Sequence, residues 1–125
     1  KKICRHFHIP LQSGDDVILK RMNRRYTYNW YRDLIKKILS RVPDVSFSTD
    51  IIVGFPGETN AQFLNSCRAV EEIGFNKVHI FPYSLREGTA AASFPNRVSE
   101  KDIKARVKDI DKIASITALM LKKRL

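Results

Sequence analysis

The segment that most constrains the fold is residues 49–59, where an apolar run leads directly into a helix start. It reads Thr-Asp-Ile-Ile-Val-Gly-Phe-Pro-Gly-Glu-Thr, which predicts a strand that breaks at Gly54 and restarts as a helix. Thr59 is suited to cap that helix, and Gln62 would complete a capping box. In α/β sheets and barrels, ligands bind at the carboxyl ends of such strands. The alternative is a plain connection between a strand and a helix.

The rest of the chain repeats this strand-helix order. Alternating apolar residues predict strands at 5–11, 45–53 and 77–83. Polar residues suited to cap the helices between and after them are Asp15, Thr27, Thr59 and Ser99. Near-continuous apolarity at residues 50–54 favours a parallel strand that is covered on both faces. We therefore predict an α/β fold of three parallel βα units, which cannot close a barrel and leaves an open sheet with exposed edges.

Length and composition narrow the class of protein. The chain has 125 residues, of which 43% are hydrophobic and 29% charged, as in a single soluble globular domain. No apolar run is long enough to cross a bilayer, so no membrane partner is expected. The two cysteines, Cys4 and Cys67, lie far apart, which argues against a disulfide framework or a self-contained metal site. Two cysteines without a predicted disulfide fit the reducing environment of the cytoplasm.

The net charge of +10 is concentrated at the two ends of the chain. Residues 1–41 carry 11 Lys and Arg against 3 Asp and Glu, and residues 101–125 carry 8 against 3. Residues 42–100 carry 4 against 7. This distribution favours an anionic partner, most simply RNA. The alternative is that the lysines belong to the solvated faces of amphipathic helices.

A few polar residues are candidates for a site at one end of the sheet. Alternation places Asp50 and Ile52 on the same face of the middle strand, and Gln12 follows the first strand. Arg24 and Arg25 follow the first short helix, where a guanidinium could bind a carboxylate or phosphate. Asp50 could instead accept only backbone N–H bonds, and the two arginines could be ordinary surface charges.

Aromatic residues and histidines complete the candidates. Phe81, Pro82 and Tyr83 end the third strand and offer flat apolar surface for a base or ring. The three histidines have strand spacing and are interpreted as polar fillers rather than metal ligands: His6, His8 and His79. The sequence contains neither a P-loop nor a G-x-G-x-x-G motif, and its order supports no nucleophile-His constellation.

Four ordered blocks of sequence are distributed along the chain: residues 8–14, 19–27, 50–59 and 79–92. They read His-Ile-Pro-Leu-Gln-Ser-Gly, Leu-Lys-Arg-Met-Asn-Arg-Arg-Tyr-Thr, Asp-Ile-Ile-Val-Gly-Phe-Pro-Gly-Glu-Thr and His-Ile-Phe-Pro-Tyr-Ser-x-Arg-x-Gly-Thr-x-Ala-Ala. In order and spacing they resemble the second half of the catalytic domain of the radical S-adenosylmethionine (SAM) methylthiotransferases. Residues 4–8 look most like the branch that modifies threonylcarbamoyladenosine in tRNA. The branches acting on isopentenyladenosine in tRNA or on a ribosomal-protein aspartate stay open.

The resemblance implies a fold of six parallel βα units in an incomplete barrel, with the last three units in residues 1–125. It implies S-adenosylmethionine as cofactor, tRNA as partner, and [4Fe–4S] clusters in a full-length parent enzyme. In that family a C-x-x-x-C-x-x-C motif binds the cluster that cleaves S-adenosylmethionine. The motif is absent from this sequence. We therefore expect the cluster-binding half, an N-terminal domain and a C-terminal RNA-binding domain to lie outside these residues, and the fragment alone to be inactive.

The resemblance also implies roles for particular residues. Gln12 and Asp50 would hold the cofactor ribose, and Arg24 would pair with its methionyl carboxylate. The other residues implied in cofactor binding are Ser13, Ile52 and Phe81, and those implied in substrate binding are Tyr83 and Arg86. No catalytic residue and no metal ligand is assigned. A non-catalytic RNA-binding module is the alternative function, and self-association through exposed strand edges is a further expectation.

Overall fold

The computed structural model describes residues 5–84 and 94–123. The elements alternate between strands and helices, as the sequence predicts. In chain order they are β1 His6–His8, α1 Asp16–Arg21, α2 Tyr28–Arg41, β2 Ser46–Val53, α3 Asn60–Ile73, β3 Lys77–Pro82 and α4 Glu100–Lys123. No helix in these two ranges is both long and apolar enough to span a bilayer.

The three strands form one parallel sheet in the order β1-β2-β3, with β2 in the centre. In the register of β1 with β2, His8 lies opposite Ser48. In that of β2 with β3, Asp50 lies opposite His79, and Ile52 lies opposite Phe81. The predicted α/β fold with an open parallel sheet is confirmed, and it is the arrangement expected of part of a barrel.

The two faces of the sheet have different environments because the side chains of β2 alternate. Phe47, Thr49, Ile51 and Val53 are buried beneath the helices. Along that face a single core joins the strands to the helices, with Tyr31, Phe75 and Ile110 at most 1% exposed. We call the opposite surface the open face; it carries His6, His8, Ser46, Ser48, Asp50, Ile52, His79 and Phe81.

The helix boundaries follow the predicted caps. Asp15 accepts the Ile18 N–H at 3.1 Å, and Thr27 caps α2. Thr59 and Gln62 form the predicted capping box at the start of α3. Ser99 accepts the Asp102 N–H, as predicted, and Gly74 adopts the left-handed conformation after α3. Each satisfied N-cap stabilises its helix by about 1 kcal/mol.

Candidate functional site

The first strand does not run unbroken to residue 11 as predicted, because β1 ends at His8 and the chain rejoins β2 only at Gln12. The Leu11 N–H, the next donor after that of Ile9, bonds to Thr49 Oγ1 instead of to the backbone of β2. One extra residue therefore lies opposite β2, and Gln12 adopts a left-handed φ of 77°. Its N–H donates to the Asp50 carbonyl at 2.8 Å, and its carbonyl accepts the Ile52 N–H at 2.9 Å. This bulge fixes Gln12 between two other predicted site residues.

Three side-chain hydroxyls stabilise the bulge. The Thr49 Oγ1 atom accepts the Leu11 N–H at 2.8 Å and donates to the Ile9 carbonyl at 2.9 Å. Tyr31 also donates to the Ile9 carbonyl at 2.5 Å, while Tyr26 donates to that of Leu11 at 2.9 Å. Burial raises the pKa of Tyr31 to about 12, so this hydroxyl stays protonated and available as a donor. The backbone groups of Ile9 and Leu11 that do not bond to β2 are therefore hydrogen-bonded to these hydroxyls, as buried backbone groups must be.

Asp50 is the carboxylate of the open face, and its side chain is 24% exposed. Its Oδ1 atom lies 3.2 Å from His8 Nε2, and His8 Nδ1 lies 2.6 Å from Ser48 Oγ. The network continues from Ser48 to His6 Nε2 at 2.9 Å, and from His6 Nδ1 to Ser46 Oγ at 2.6 Å. No residue in the described ranges bonds to Asp50 Oδ2. One oxygen of Asp50 is thus held by His8, and no described residue holds the other.

The third strand places a histidine and an aromatic ring on the open face, next to β2. His79 lies beside Asp50, and its ring centroid is 5.6 Å from that of His8. Phe81 is half exposed beside Ile52. The sequence interpretation treated the histidines only as strand fillers, whereas two of them adjoin Asp50. The missed signal is their phase, because parallel pairing places their strand positions on the face that carries Asp50.

Arg24 lies in the loop between α1 and α2. Its N–H donates to the Leu19 carbonyl at 2.9 Å. Burial raises the pKa of Tyr26, and the nearby Arg24 guanidinium opposes that shift. Because Tyr26 bonds to the Leu11 carbonyl, Arg24 is close to the bulge. Its side chain is exposed and forms no ion pair with any residue that the structure describes.

The other predicted site residues have different surroundings. Ser13 is fully buried, and its Oγ accepts the Asp15 N–H at 3.0 Å, so the structure keeps it off the open face. Tyr83 continues beyond β3, where its ring packs edge-on against Phe55 with centroids 5.5 Å apart. Arg86 lies outside the described residues. The structure therefore brings Asp50, Ile52 and Phe81 together on the open face, with the Gln12 backbone bonded to that of Asp50 and Ile52.

The loop after β2 is held by a buried ion pair. The Gly54 N–H donates to Glu58 Oε1 at 2.9 Å, and the same oxygen lies 3.0 Å from Arg106 Nη1 on α4. Burial raises the pKa of Glu58, against the lowering effects of these two partners. Gly54 has a φ of 83°, and a Cβ there would lie 2.4 Å from the Ile103 side chain. Only glycine fits this turn, and the ion pair fixes it to α4.

Comparison with known proteins agrees with this architecture. Residues 1–70 match the profile of the radical SAM superfamily. The chain belongs to the radical SAM superfamily. It is 45% identical over 118 residues to a tRNA-2-methylthio-N(6)-dimethylallyladenosine synthase of Alkaliphilus oremlandii (strain OhILAs). That alignment covers 94% of this chain and 25% of the relative, so the chain spans a quarter of the relative's length. The resemblance to radical SAM methylthiotransferases is confirmed.

The cysteines test whether this radical SAM chain could itself hold an iron–sulfur cluster. Cluster ligands are thiolates, commonly grouped in short motifs. Cys67 is buried on α3 in the core, where burial raises the pKa of its thiol to about 11. Cys4 lies outside the described residues. A protonated core thiol does not fit a cluster ligand, so no step is assigned to a cluster within these residues.

Proposed function

We propose that residues 1–125 are the second half of the catalytic domain of a radical SAM methylthiotransferase that modifies an adenosine of tRNA. The observation that carries the proposal is the bulge that fixes Gln12 between Asp50 and Ile52 at the carboxyl end of β2. Family membership and the likeness to a tRNA-modifying relative support it. The relative's name refers to dimethylallyladenosine, whereas residues 4–8 favour threonylcarbamoyladenosine. The cytoplasmic location and the self-association stay predictions.

The residues present fit S-adenosylmethionine. Asp50 Oδ2 is available to accept a ribose hydroxyl, and the Gln12 amide would bind beside it. The Arg24 guanidinium would pair with the methionyl carboxylate, and Ile52 and Phe81 would offer apolar surface to adenine. When bound and cleaved, this cofactor supplies a radical that abstracts hydrogen from an unactivated carbon. In the proposed enzyme the [4Fe–4S] clusters are bound by cysteines outside these residues.

The contribution of this chain would be positioning rather than acid-base chemistry. His8 holds one oxygen of Asp50, and the pairing of β2 with β3 places Ile52 directly beside Phe81. Side chains on paired strands keep a bound cofactor in one orientation, which a directed radical transfer requires. Tyr83 and Arg86 follow β3, and we propose that they contact the substrate.

The role of Asp50 can be tested in the full-length enzyme. We expect Asp50→Ala to lower the formation of 5′-deoxyadenosine at sub-saturating cofactor by about 5- to 150-fold, while binding of tRNA is retained. Losing the carboxylate leaves ribose hydroxyls without an acceptor, which weakens cofactor binding by about 1–3 kcal/mol. The measurements are chromatography of the nucleoside product and equilibrium binding of the cofactor. Ser46→Ala, at the opposite end of β2, is the matched control. Cleavage at the wild-type rate in Asp50→Ala would exclude this role.

A second candidate function, RNA binding without catalysis, is favoured by one surface. Trp30 is 56% exposed on the first turn of α2, and its ring centroid lies 5.9 Å from that of Tyr26. The preceding segment, residues 20–25, carries four Lys and Arg and no acidic residue. Exposed aromatic rings beside basic residues suit single-stranded RNA, since bases stack on the rings and phosphates neutralise the cations. The same surface would serve the catalytic proposal by contacting tRNA.

Trp30 is the only tryptophan of the chain, so its fluorescence reports on this surface directly. We expect a single-stranded RNA oligonucleotide to quench it, with binding that weakens steeply as salt is raised. Trp30→Ala should weaken binding, measured by anisotropy of labelled RNA, by about 1–3 kcal/mol, and Trp30→Phe should retain most of the affinity. Leu39→Ala, an exposed position on the same helix, is the control. Equal binding by wild type and Trp30→Ala would refute the assignment.

A further inference from the structure

Three potential metal ligands meet on the open face. His8 on β1, Asp50 on β2 and His79 on β3 each offer one ligand atom, and these atoms all lie within 4.8 Å of one another. They come from three adjacent strands, with Asp50 directly opposite His79 in the parallel register. Paired strands hold side chains more rigidly than loops do. The geometry is therefore set by the sheet itself.

One histidine is already oriented for coordination. His8 Nδ1 lies 2.6 Å from Ser48 Oγ, which leaves Nε2 directed at Asp50 Oδ1, 3.2 Å away. Metal-binding histidines usually hydrogen-bond through the nitrogen that does not bind the metal, and that bond fixes the ring. Ser48 is buried and cannot easily move. The hydrogen bond from Ser48 on β2 thus fixes the His8 ring on the neighbouring strand β1, as a metal site requires.

The donor set indicates the class of ion. Two imidazole nitrogens and one carboxylate oxygen suit Zn²⁺ or Fe²⁺ better than Ca²⁺ or Mg²⁺, which prefer oxygen. With bonds of about 2.0–2.1 Å, donors around Zn²⁺ lie roughly 3.3 Å apart. The His8–Asp50 pair already has this separation, and the ligand atom of His79 lies within 4.8 Å of the other two. Three protein ligands would leave one coordination position open.

We propose that His8, Asp50 and His79 bind one divalent transition-metal ion, with Zn²⁺ as the ion that fits best. This site is distinct from a [4Fe–4S] cluster because it uses no thiolate. It does not depend on the proposed function, although it shares Asp50 with the proposed ribose contact. The ion would bind Asp50 Oδ1, whereas the proposed ribose contact uses Oδ2.

The test is a titration of the chelator-treated chain with Zn²⁺, followed by calorimetry, and with Co²⁺, followed by visible absorption. We expect saturation at one equivalent, and affinity at least about tenfold lower in His8→Ala and in His79→Ala. His79 is exposed, so its replacement should leave the far-ultraviolet circular dichroism unchanged. His6→Ala is the matched control, because His6 shares the face and the bond to Ser48 but lies outside the three ligands.

The outcomes separate the proposal from its alternatives. Wild-type affinity in both His8→Ala and His79→Ala would overturn it, since the ion would then bind elsewhere. Absence of saturable binding in the wild-type chain would overturn it as well. Loss of affinity in these two variants, with His6→Ala unchanged, would support it. None of these measurements uses S-adenosylmethionine or RNA, so failure here leaves the proposed function intact, and failure of that function leaves this site intact.

Discussion

Arg106→Ala is expected to lower the free energy of unfolding by about 3–5 kcal/mol, the usual cost of removing one partner from a buried ion pair. Glu58 has a fully buried side chain and Arg106 one that is 12% exposed, with 3.0 Å between the charged atoms. Arg106 also donates to the Glu58 carbonyl and lies over the Phe63 ring. Without it, a carboxylate stays buried with only the Gly54 N–H as partner. Urea unfolding measures the effect.

Two variants separate the ion pair from other causes. Lys104→Ala removes an exposed cation from the same helix and should change stability by less than about 0.5 kcal/mol. Adding Glu58→Gln to Arg106→Ala removes the uncompensated charge and should restore part of the lost stability. If Arg106→Ala were no more destabilising than Lys104→Ala, the pair would not hold α4 to the loop after β2.

The same pair predicts a dependence on pH. Burial raises the pKa of Glu58 in the folded protein above its unfolded value, so the folded state favours the protonated form. The contribution of Glu58 to the free energy of unfolding is fully present at pH values below its pKa in the unfolded chain. That contribution is lost as the pH rises through its pKa in the folded protein. Removing Arg106 removes a cation that lowers this pKa. The loss of stability caused by Arg106→Ala should therefore be small near pH 4 and increase toward neutral pH. A loss of stability that does not vary with pH would contradict this mechanism.

Most of the fold follows from local sequence signals. Period-2 alternation separated the two sets of side chains in β2, and the polar residues before each helix identified the caps. The prediction that both faces of β2 are covered is wrong, because Asp50 and Ile52 are partly exposed on the open face. Alternation and helix capping involve residues close together in sequence, so they can be recognised without knowledge of the tertiary structure. The bulge was not predicted, because it depends on contacts between residues distant in sequence. The Thr49 and Tyr31 hydroxyls that stabilise it are 38 and 22 residues away in sequence from the backbone groups they bond.

The candidate site was predictable in part for the same reason. Alternation placed Asp50 and Ile52 together, and the end of the first strand placed Gln12 nearby. Ser13 has the same local sequence context as Gln12, yet the turn buries it against Ser66, 3.4 Å between hydroxyl oxygens. The pairing of His8 and His79 with Asp50 required the register between strands. Register is a tertiary property, and a shift of one residue would have placed these side chains on the other face.

Thr49→Val is expected to lower the free energy of unfolding by about 2–3 kcal/mol, although valine has nearly the same shape as threonine. The buried Leu11 N–H would lose its acceptor at 2.8 Å, and the Ile9 carbonyl would keep only Tyr31 as donor. An unpaired buried donor costs about 1–3 kcal/mol. The Leu11 amide should also exchange its hydrogen faster, as measured by nuclear magnetic resonance, since the bulge would open more often.

Thr49→Ser is the matched control for this prediction, because it keeps the hydroxyl and removes only a methyl group. It should retain the protection of the Leu11 amide and cost about 1 kcal/mol, the value of one buried methyl. If the serine variant were as damaging as the valine variant, packing rather than hydrogen bonding would explain the role of Thr49. If the hydroxyl is what matters, the valine variant of the full-length enzyme should also bind S-adenosylmethionine more weakly, since Gln12 reaches its place between Asp50 and Ile52 only through the bulge that this hydroxyl holds.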